Sequence, residues 1–138
     1  LLQETAVFDA VPLLLGAIEA RPRPWGVVTN KATGLAEPLL SGLHLRQRAA
    51  VLVGGDTTPH GKPHPAPLLH AARELGLDPT RCVYVGDDLR DVQAGRAAGM
   101  LTVAAAWGYL GEGEAIADWD AHHVVESPGE LLKLLALP

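Results

Sequence analysis

Residues 82 to 91 read CVYVGDDLRD, and this stretch decides how the rest of the chain is interpreted. The run Cys82–Val85 is apolar throughout and predicts a strand that is buried on both faces. A glycine and two carboxylates follow at once, and a helical pattern then runs from Leu89 to Ala98, with Gly99 as its cap. A buried strand, a polar turn and a helix in this order form the repeating unit of a parallel sheet.

The same alternation extends in both directions along the chain. The other predicted elements are strands at Trp25–Thr29, Ala49–Val53, Leu101–Ala105 and His123–Val125, and helices at Val11–Ile18, Ala32–Leu40, Ala66–Leu75 and after Ser127. Strands that alternate with helices of this length indicate an α/β fold of three layers, Rossmann-like, in which helices cover both faces of a parallel sheet. The length suits a single core and no linker or repeat interrupts it, so we expect one domain over residues 1–138.

Composition argues against several classes of partner. The 11 basic and 16 acidic residues give a net charge of -5, which offers no electrostatic reason to expect nucleic acid. No apolar run reaches the roughly 18 residues that suggest a membrane span, so no membrane partner is expected. Cys82 is the only cysteine, which rules out an intrachain disulfide, and a cytoplasmic setting is expected. The only methionine is Met100, which favours a truncated or processed chain.

Carboxylates gather at the end of the strand in the stretch 82–91, where ligands of open parallel sheets bind. Asp87 and Asp88 are adjacent, and two ionised carboxylates repel each other unless a cation lies between them. A hard divalent ion with oxygen ligands, Mg²⁺ first of all, would relieve that repulsion. Asp91 lies one helical turn beyond Asp87 and can face the same point. The alternative is that these carboxylates only cap the helix that follows.

Two further strand ends carry groups suited to phosphate. Thr29 and Asn30 place a hydroxyl and backbone N–H groups where a strand gives way to a helix, a geometry that binds phosphate. The alternative is that one of them simply caps that helix. Lys62 lies between Gly61 and Pro63, and its compact ammonium suits a phosphate or a carboxylate nucleophile. The alternative for Lys62 is a solvated surface lysine.

Taken in order, Thr29, then Lys62, then the Asp87–Asp88 pair with Asp91 resembles the second, third and fourth motifs of the haloacid-dehalogenase-like hydrolase superfamily. The surrounding sequence is similar to the phosphoglycolate-phosphatase-like branch of that superfamily. The resemblance implies that Asp87 and Asp88 hold Mg²⁺, that Lys62 neutralises the nucleophile and the phosphate, and that Asp91 orients Lys62. It also implies that Thr29 hydrogen-bonds the transferring phosphoryl group. The candidate phosphate-binding residues are therefore Thr29, Asn30 and Lys62.

The function that this resemblance implies is a Mg²⁺-dependent phosphate monoester hydrolase acting through an aspartyl-phosphate intermediate in the complete protein. Its partner would be a small phosphorylated metabolite. Similarity to N-acetylmuramic acid 6-phosphate phosphatases leaves that substrate, or another sugar phosphate, as an alternative. A non-catalytic binding module with the same fold is a second alternative. A phospho-receiver domain also uses paired acids, a threonine and a lysine, but there the acid pair comes first in the chain.

The chain departs from the family pattern at its first motif, an Asp-x-Asp whose first aspartate is the nucleophile. No Asp-x-Asp followed by Gly-Thr occurs, and the nearest match, Asp118-Trp119-Asp120, lies at the wrong end of the chain. We therefore expect this chain alone to be inactive, and residues 1–12 to be the return from a missing cap domain. The family's first-motif strand lies at the centre of the sheet, so its loss predicts a gap that self-association or a missing N-terminal segment fills.

Overall fold

A computed structural model of the chain describes residues 13–15, 24–42, 50–108 and 115–135. The strands are β1 (Leu13–Leu15), β2 (Trp25–Val28), β3 (Val51–Val53), β4 (Val83–Gly86), β5 (Leu101–Ala105) and β6 (His123–Val125). The helices are α1 (Thr33–Gly42), α2 (Ala66–Leu75), α3 (Leu89–Ala97) and α4 (Pro128–Leu134). None of the helices within these ranges has the length and apolar character needed to cross a membrane.

The strands form one sheet in the order β3-β2-β1-β4-β5-β6. β2 pairs with β3, β4 with β5, and β5 with β6, all in parallel. β1 runs antiparallel to both of its neighbours, with Leu14 opposite Gly26 on β2 and opposite Tyr84 on β4. The predicted α/β fold is confirmed, whereas the predicted parallel sheet contains one antiparallel strand, β1.

The helix predicted over Val11–Ile18 is wrong at Leu13–Leu15, which form the central strand β1. β2 and β4 are apolar strands whose facing N–H and C=O groups would otherwise be unpaired, at a cost of about 1–3 kcal/mol for each buried group. The free energy gained by pairing these backbone groups outweighs the local helical preference of the leucine run. The chain's own residues therefore fill the expected central gap. Self-association stays a prediction, and the assignment of residues 1–12 to a cap return falls outside the described residues.

The remaining elements lie within about two residues of their predicted bounds. α2, β5 and β6 agree with the sequence prediction at both ends. Gly76 ends α2 in the left-handed conformation, with φ of 69°, and donates its N–H to the last turn. The hydroxyl of Ser127 accepts a hydrogen bond from the backbone N–H of Glu130 and so caps α4, as predicted.

Side chains of β4 alternate between the two faces of the sheet and show where the core lies. Tyr84 is buried with residues of α2 and α3 on one face, including Leu68 and Ala94. Val83 and Val85 are buried on the other face with Leu131 of α4. Helices thus cover both faces, and the carboxyl ends of β2 and β4 lie at the same edge of the sheet because both strands run in the same direction.

Candidate active site

A cleft of about 300 Å³ lies at this edge of the sheet. It is lined by Thr29, Asn30, Lys31, Lys62, Asp87, Asp88, Arg90 and Asp91. All six residues that the sequence analysis singled out are in this set, although they come from three separate segments of the chain. Lys31 and Arg90 are lining residues that the sequence analysis did not select.

Lys62 is a buried lysine, not the solvated surface residue of the alternative interpretation. Its Nζ lies 2.6 Å from Oδ1 of Asp91, 2.9 Å from the hydroxyl of Tyr84 and 3.3 Å from the carbonyl oxygen of Val28. An ammonium group has three N–H donors, so these three acceptors satisfy it fully. The side chains of Lys62 and Asp91 are only 5% and 3% exposed, which makes this a buried ion pair.

Asp91 connects Lys62 to the turn between β4 and α3. While Oδ1 accepts from Lys62, Oδ2 accepts the backbone N–H groups of Asp87 and Asp88. Burial raises the pKa of Asp91, and the charge and hydrogen bond of Lys62 act against that rise. Asp91 is therefore placed to fix both the lysine and the start of α3.

Asn30 holds the loop that carries Lys62. Its Oδ1 accepts the backbone N–H of Lys62 at 2.8 Å, and its Nδ2 donates to the backbone carbonyl of Lys62 at 3.0 Å. The side-chain amide of Asn30 is thus hydrogen-bonded to the protein backbone. Phosphate binding at Asn30 stays a prediction, and we expect the backbone N–H groups of this turn, not the side chain, to make the contact. Sequence alone could not show this pairing, because the two residues are far apart along the chain.

Thr29 is buried at the carboxyl end of β2, and its hydroxyl accepts the backbone N–H of Lys31 at 3.1 Å. Neither Thr29 nor Asn30 caps α1. The carboxylate of Asp56 does so, by accepting the N–H and the hydroxyl of Thr33. The capping interpretation of Thr29 and Asn30 is therefore wrong, and the hydroxyl of Thr29 lies at the cleft.

The capping interpretation holds, by contrast, for two of the three carboxylates. Asp88 is the N-cap of α3 and accepts the backbone N–H of Arg90, and Asp91 completes a capping box. Asp88 also pairs with the guanidinium of Arg90, with Nε at 3.1 Å. Burial raises the pKa of Asp88, but the side-chain and backbone hydrogen bonds from Arg90 outweigh it, and the net pKa lies below its usual value.

Asp87 behaves differently, because its ionised form is destabilised. Its pKa is raised to about 6, first by burial and then by the negative charge of Asp91, with Lys62 offsetting only part of the rise. A cation placed beside Asp87 would remove this penalty, so the donor set fits Mg²⁺, with Asp87 and Asp88 as the residues that would hold it. No cluster of three or more metal-ligating side chains occurs within the described ranges, and Mg²⁺ commonly completes its shell with water.

Replacing Asp87 by asparagine should stabilise the metal-free chain at neutral pH. The raised pKa means that stability falls as the pH rises from about 4 to about 6, the pKa values of the unfolded and folded states. Because Asp87 is only partly buried, solvent screening reduces the effect to about 1 kcal/mol, or a melting temperature roughly 4 °C higher at pH 7.5. Thermal melts at pH 4 and pH 7.5 in EDTA measure this, and the gain should vanish at pH 4.

Asp88→Asn is the matched control for that experiment. Since the pKa of Asp88 is lowered, its ionised form stabilises the fold and its neutralisation should bring no gain at pH 7.5. Equal gains for both variants, or a lower melting temperature for Asp87→Asn at pH 7.5, would show that the charge environment of Asp87 is misassigned.

Gly86→Ala should disrupt the site, because a methyl group at Gly86 would overlap the side chain of Asp91. We expect a loss of about 1–3 kcal/mol in the free energy of unfolding from this overpacking. Gly34→Ala is the control, since no atom lies near its added methyl and alanine favours the helix by up to about 1 kcal/mol. Urea unfolding of the two variants should therefore give changes of opposite sign.

Comparisons with known proteins identify the family to which this chain belongs. Residues 1–99 match the family described as haloacid dehalogenase-like hydrolase. A phosphoglycolate phosphatase of Xanthomonas campestris is 48% identical over 136 residues, covering 98% of this chain and 61% of that protein. An N-acetylmuramic acid 6-phosphate phosphatase of Pseudomonas aeruginosa is 44% identical over 128 residues, covering 93% of this chain and 57% of that protein.

The fold matches solved structures as well. A crystal structure of a predicted phosphoglycolate phosphatase from Haemophilus somnus superposes with a TM-score of 0.71 at 30% identity, covering 78% of this chain and 47% of that one. The chain thus spans about half to three-fifths of the length of these relatives. The shared fold, the matched family model and the meeting of Thr29, Lys62 and the Asp87–Asp91 turn in one cleft place this chain in the haloacid dehalogenase-like hydrolase family.

Proposed function

We propose that this chain is the core domain of a Mg²⁺-dependent phosphate monoester hydrolase of the phosphoglycolate phosphatase kind, acting on a small phosphorylated metabolite in the cytoplasm. The observation that carries the proposal is the buried Lys62–Asp91 pair at a cleft that also contains Thr29 and Asp87. Phosphoryl transfer depends on positioning and on neutralising negative charge. A fixed ammonium, a hydroxyl and an electrostatically strained carboxylate beside one cleft suit that chemistry.

In this proposal each residue of the cleft has one task. Lys62 lowers the energy of the negative charge shared by the nucleophile and the phosphoryl group, and Asp91 orients it. Thr29 donates its hydroxyl to a phosphoryl oxygen. Asp87 and Asp88 would hold Mg²⁺, Asp88 after loosening its contact with Arg90. The ion would supply positive charge that offsets the negative charge of the phosphoryl group.

The nucleophile of this proposal is an aspartate that forms an aspartyl-phosphate. Since no Asp-x-Asp followed by Gly-Thr occurs in these 138 residues, we propose that it lies outside them. The chain by itself should then be inactive and should bind Mg²⁺ only weakly, because a protein carboxylate ligand is missing from the set.

An N-acetylmuramic acid 6-phosphate phosphatase is the second candidate function. The relative of that name in Pseudomonas aeruginosa is 44% identical to this chain, close to the 48% of the phosphoglycolate phosphatase. The residues of the cleft contact a phosphoryl group in either case, so they do not separate the two substrates.

Steady-state assays of the full-length gene product and of this chain alone, with phosphoglycolate and N-acetylmuramic acid 6-phosphate, test the proposal. We expect Mg²⁺-dependent turnover by the full-length product, abolished by EDTA, and none by this chain alone. Preference for the sugar phosphate would select the second candidate. Binding of phosphate esters without turnover of any of them would indicate a non-catalytic binding module and overturn the proposal.

A further inference from the structure

The hydroxyl of Tyr84 is a polar group inside the core that none of the roles above uses. Tyr84 lies on β4, three residues before Asp87, and is 1% exposed. Its ring packs in the same buried cluster as Val28 and Leu68. A tyrosine buried this deeply needs a partner for its hydroxyl, and the identity of that partner shows what the hydroxyl does.

The partners of this hydroxyl define the direction of its hydrogen bonds. The carbonyl oxygen of Val28 can only accept, so Tyr84 donates its O–H to it at 3.0 Å. The ammonium of Lys62 can only donate, so the phenolic oxygen accepts from Nζ at 2.9 Å. Burial, and then the charges of Asp91 and Asp87, hold the pKa of Tyr84 well above its usual value, so the phenol keeps the proton that it donates.

These contacts connect three segments of the cleft. Val28 is the last residue of β2 and precedes Thr29, Lys62 comes from the loop after β3, and Tyr84 belongs to β4. Asp91 alone gives the ammonium one strong contact, about which the end of a flexible side chain can swing. The hydroxyl of Tyr84 supplies a second contact from a rigid strand, and the Val28 carbonyl supplies the third.

We propose that Tyr84 is a positioning residue, whose hydroxyl holds the ammonium of Lys62 at a fixed distance from the end of β2. It acts through Lys62 and does not touch the substrate. Phenylalanine at this position keeps the ring and its packing but removes the contact. The ammonium then loses one of its three acceptors and shifts about Asp91, away from the position that serves the phosphoryl group. The effect on catalysis rests on the proposed phosphatase function, whereas the effect on Lys62 does not.

The ammonium of Lys62 in the full-length gene product gives the first measurement. A buried ammonium with three acceptors should show an NMR cross-peak of its own, assigned by its absence in Lys62→Arg. Tyr84→Phe should shift this peak or broaden it beyond detection. Val83→Ala is the matched control, because Val83 is buried on the opposite face of the same strand, and it should leave the peak in place. An unchanged peak in Tyr84→Phe overturns the proposal, whatever the protein's activity.

Kinetics of the same variants give the second measurement. Tyr84→Phe should lower kcat about tenfold and leave KM within about twofold, because the displaced ammonium stabilises the charge of the transition state less well while substrate binding is unaffected. Val83→Ala, which destabilises the core without touching Lys62, should keep its kcat. An equal loss in both variants would assign the effect to stability and refute the positioning role. Absence of activity in the unmodified protein would contradict the proposed function and leave the NMR result to decide on Tyr84.

Discussion

Lys62→Met should lower the free energy of unfolding of this chain by about 3–5 kcal/mol. The variant keeps most of the apolar length of the side chain but leaves Asp91 as a buried carboxylate without a countercharge. Removing one partner of a buried pair costs more than the pair contributes, because the remaining charge stays desolvated. Urea unfolding at pH 7.5 measures the loss. It should shrink at acidic pH, where Asp91, whose pKa is already raised, can take up a proton.

Two further variants identify the cause of that loss. Lys31→Met removes an exposed lysine of the same cleft and should change stability by less than about 0.5 kcal/mol. Lys62→Met combined with Asp91→Asn should recover at least about 1 kcal/mol of the loss, since asparagine is neutral and its carbonyl can still accept the N–H groups of the β4–α3 turn. No recovery in the double variant would mean that packing, not the unpaired charge, causes the loss.

The second large effect concerns activity. In the full-length gene product, Asp87→Asn should lower kcat by about 100- to 1000-fold. The reason is that the proposed Mg²⁺ site loses a negatively charged ligand, the carboxylate of Asp87. The phosphatase assay with saturating substrate and Mg²⁺ measures this. The same variant should stabilise the metal-free chain, so the loss of activity cannot be attributed to unfolding.

Asp78→Asn is the matched control for activity. Asp78 caps the short turn Pro79–Arg81 at the start of β4, at the opposite end of the strand from the cleft, and asparagine caps as well as aspartate does. It should keep kcat within about twofold of the unmodified protein. If Asp87→Asn keeps comparable activity, Asp87 is not the metal ligand of this hydrolase.

Part of the site was accessible from the sequence because the signals are local. Asp87, Asp88 and Asp91 are close together along the chain. All three follow one strand, which its run of apolar residues predicts. The rule that ligands bind at the carboxyl ends of parallel strands then brings Thr29 and Lys62 to the same edge. The partners of these residues were not accessible, because Asn30 with Lys62, and Tyr84 with Val28, are pairs that are distant in sequence.

The sequence by itself determined the layered α/β class, the bounds of α2, β5 and β6, and six of the eight residues that line the cleft. It could do so because hydrophobic periodicity, helix caps and polar groups at strand ends are signals that act over a few residues. Only the tertiary structure decided that Leu13–Leu15 form a strand, since the unpaired edges of β2 and β4 impose that pairing against the local helical pattern. It also decided that Asp88 caps a helix while Asp87 remains an electrostatically strained carboxylate, because the pKa of each depends on burial and on charges that other segments supply.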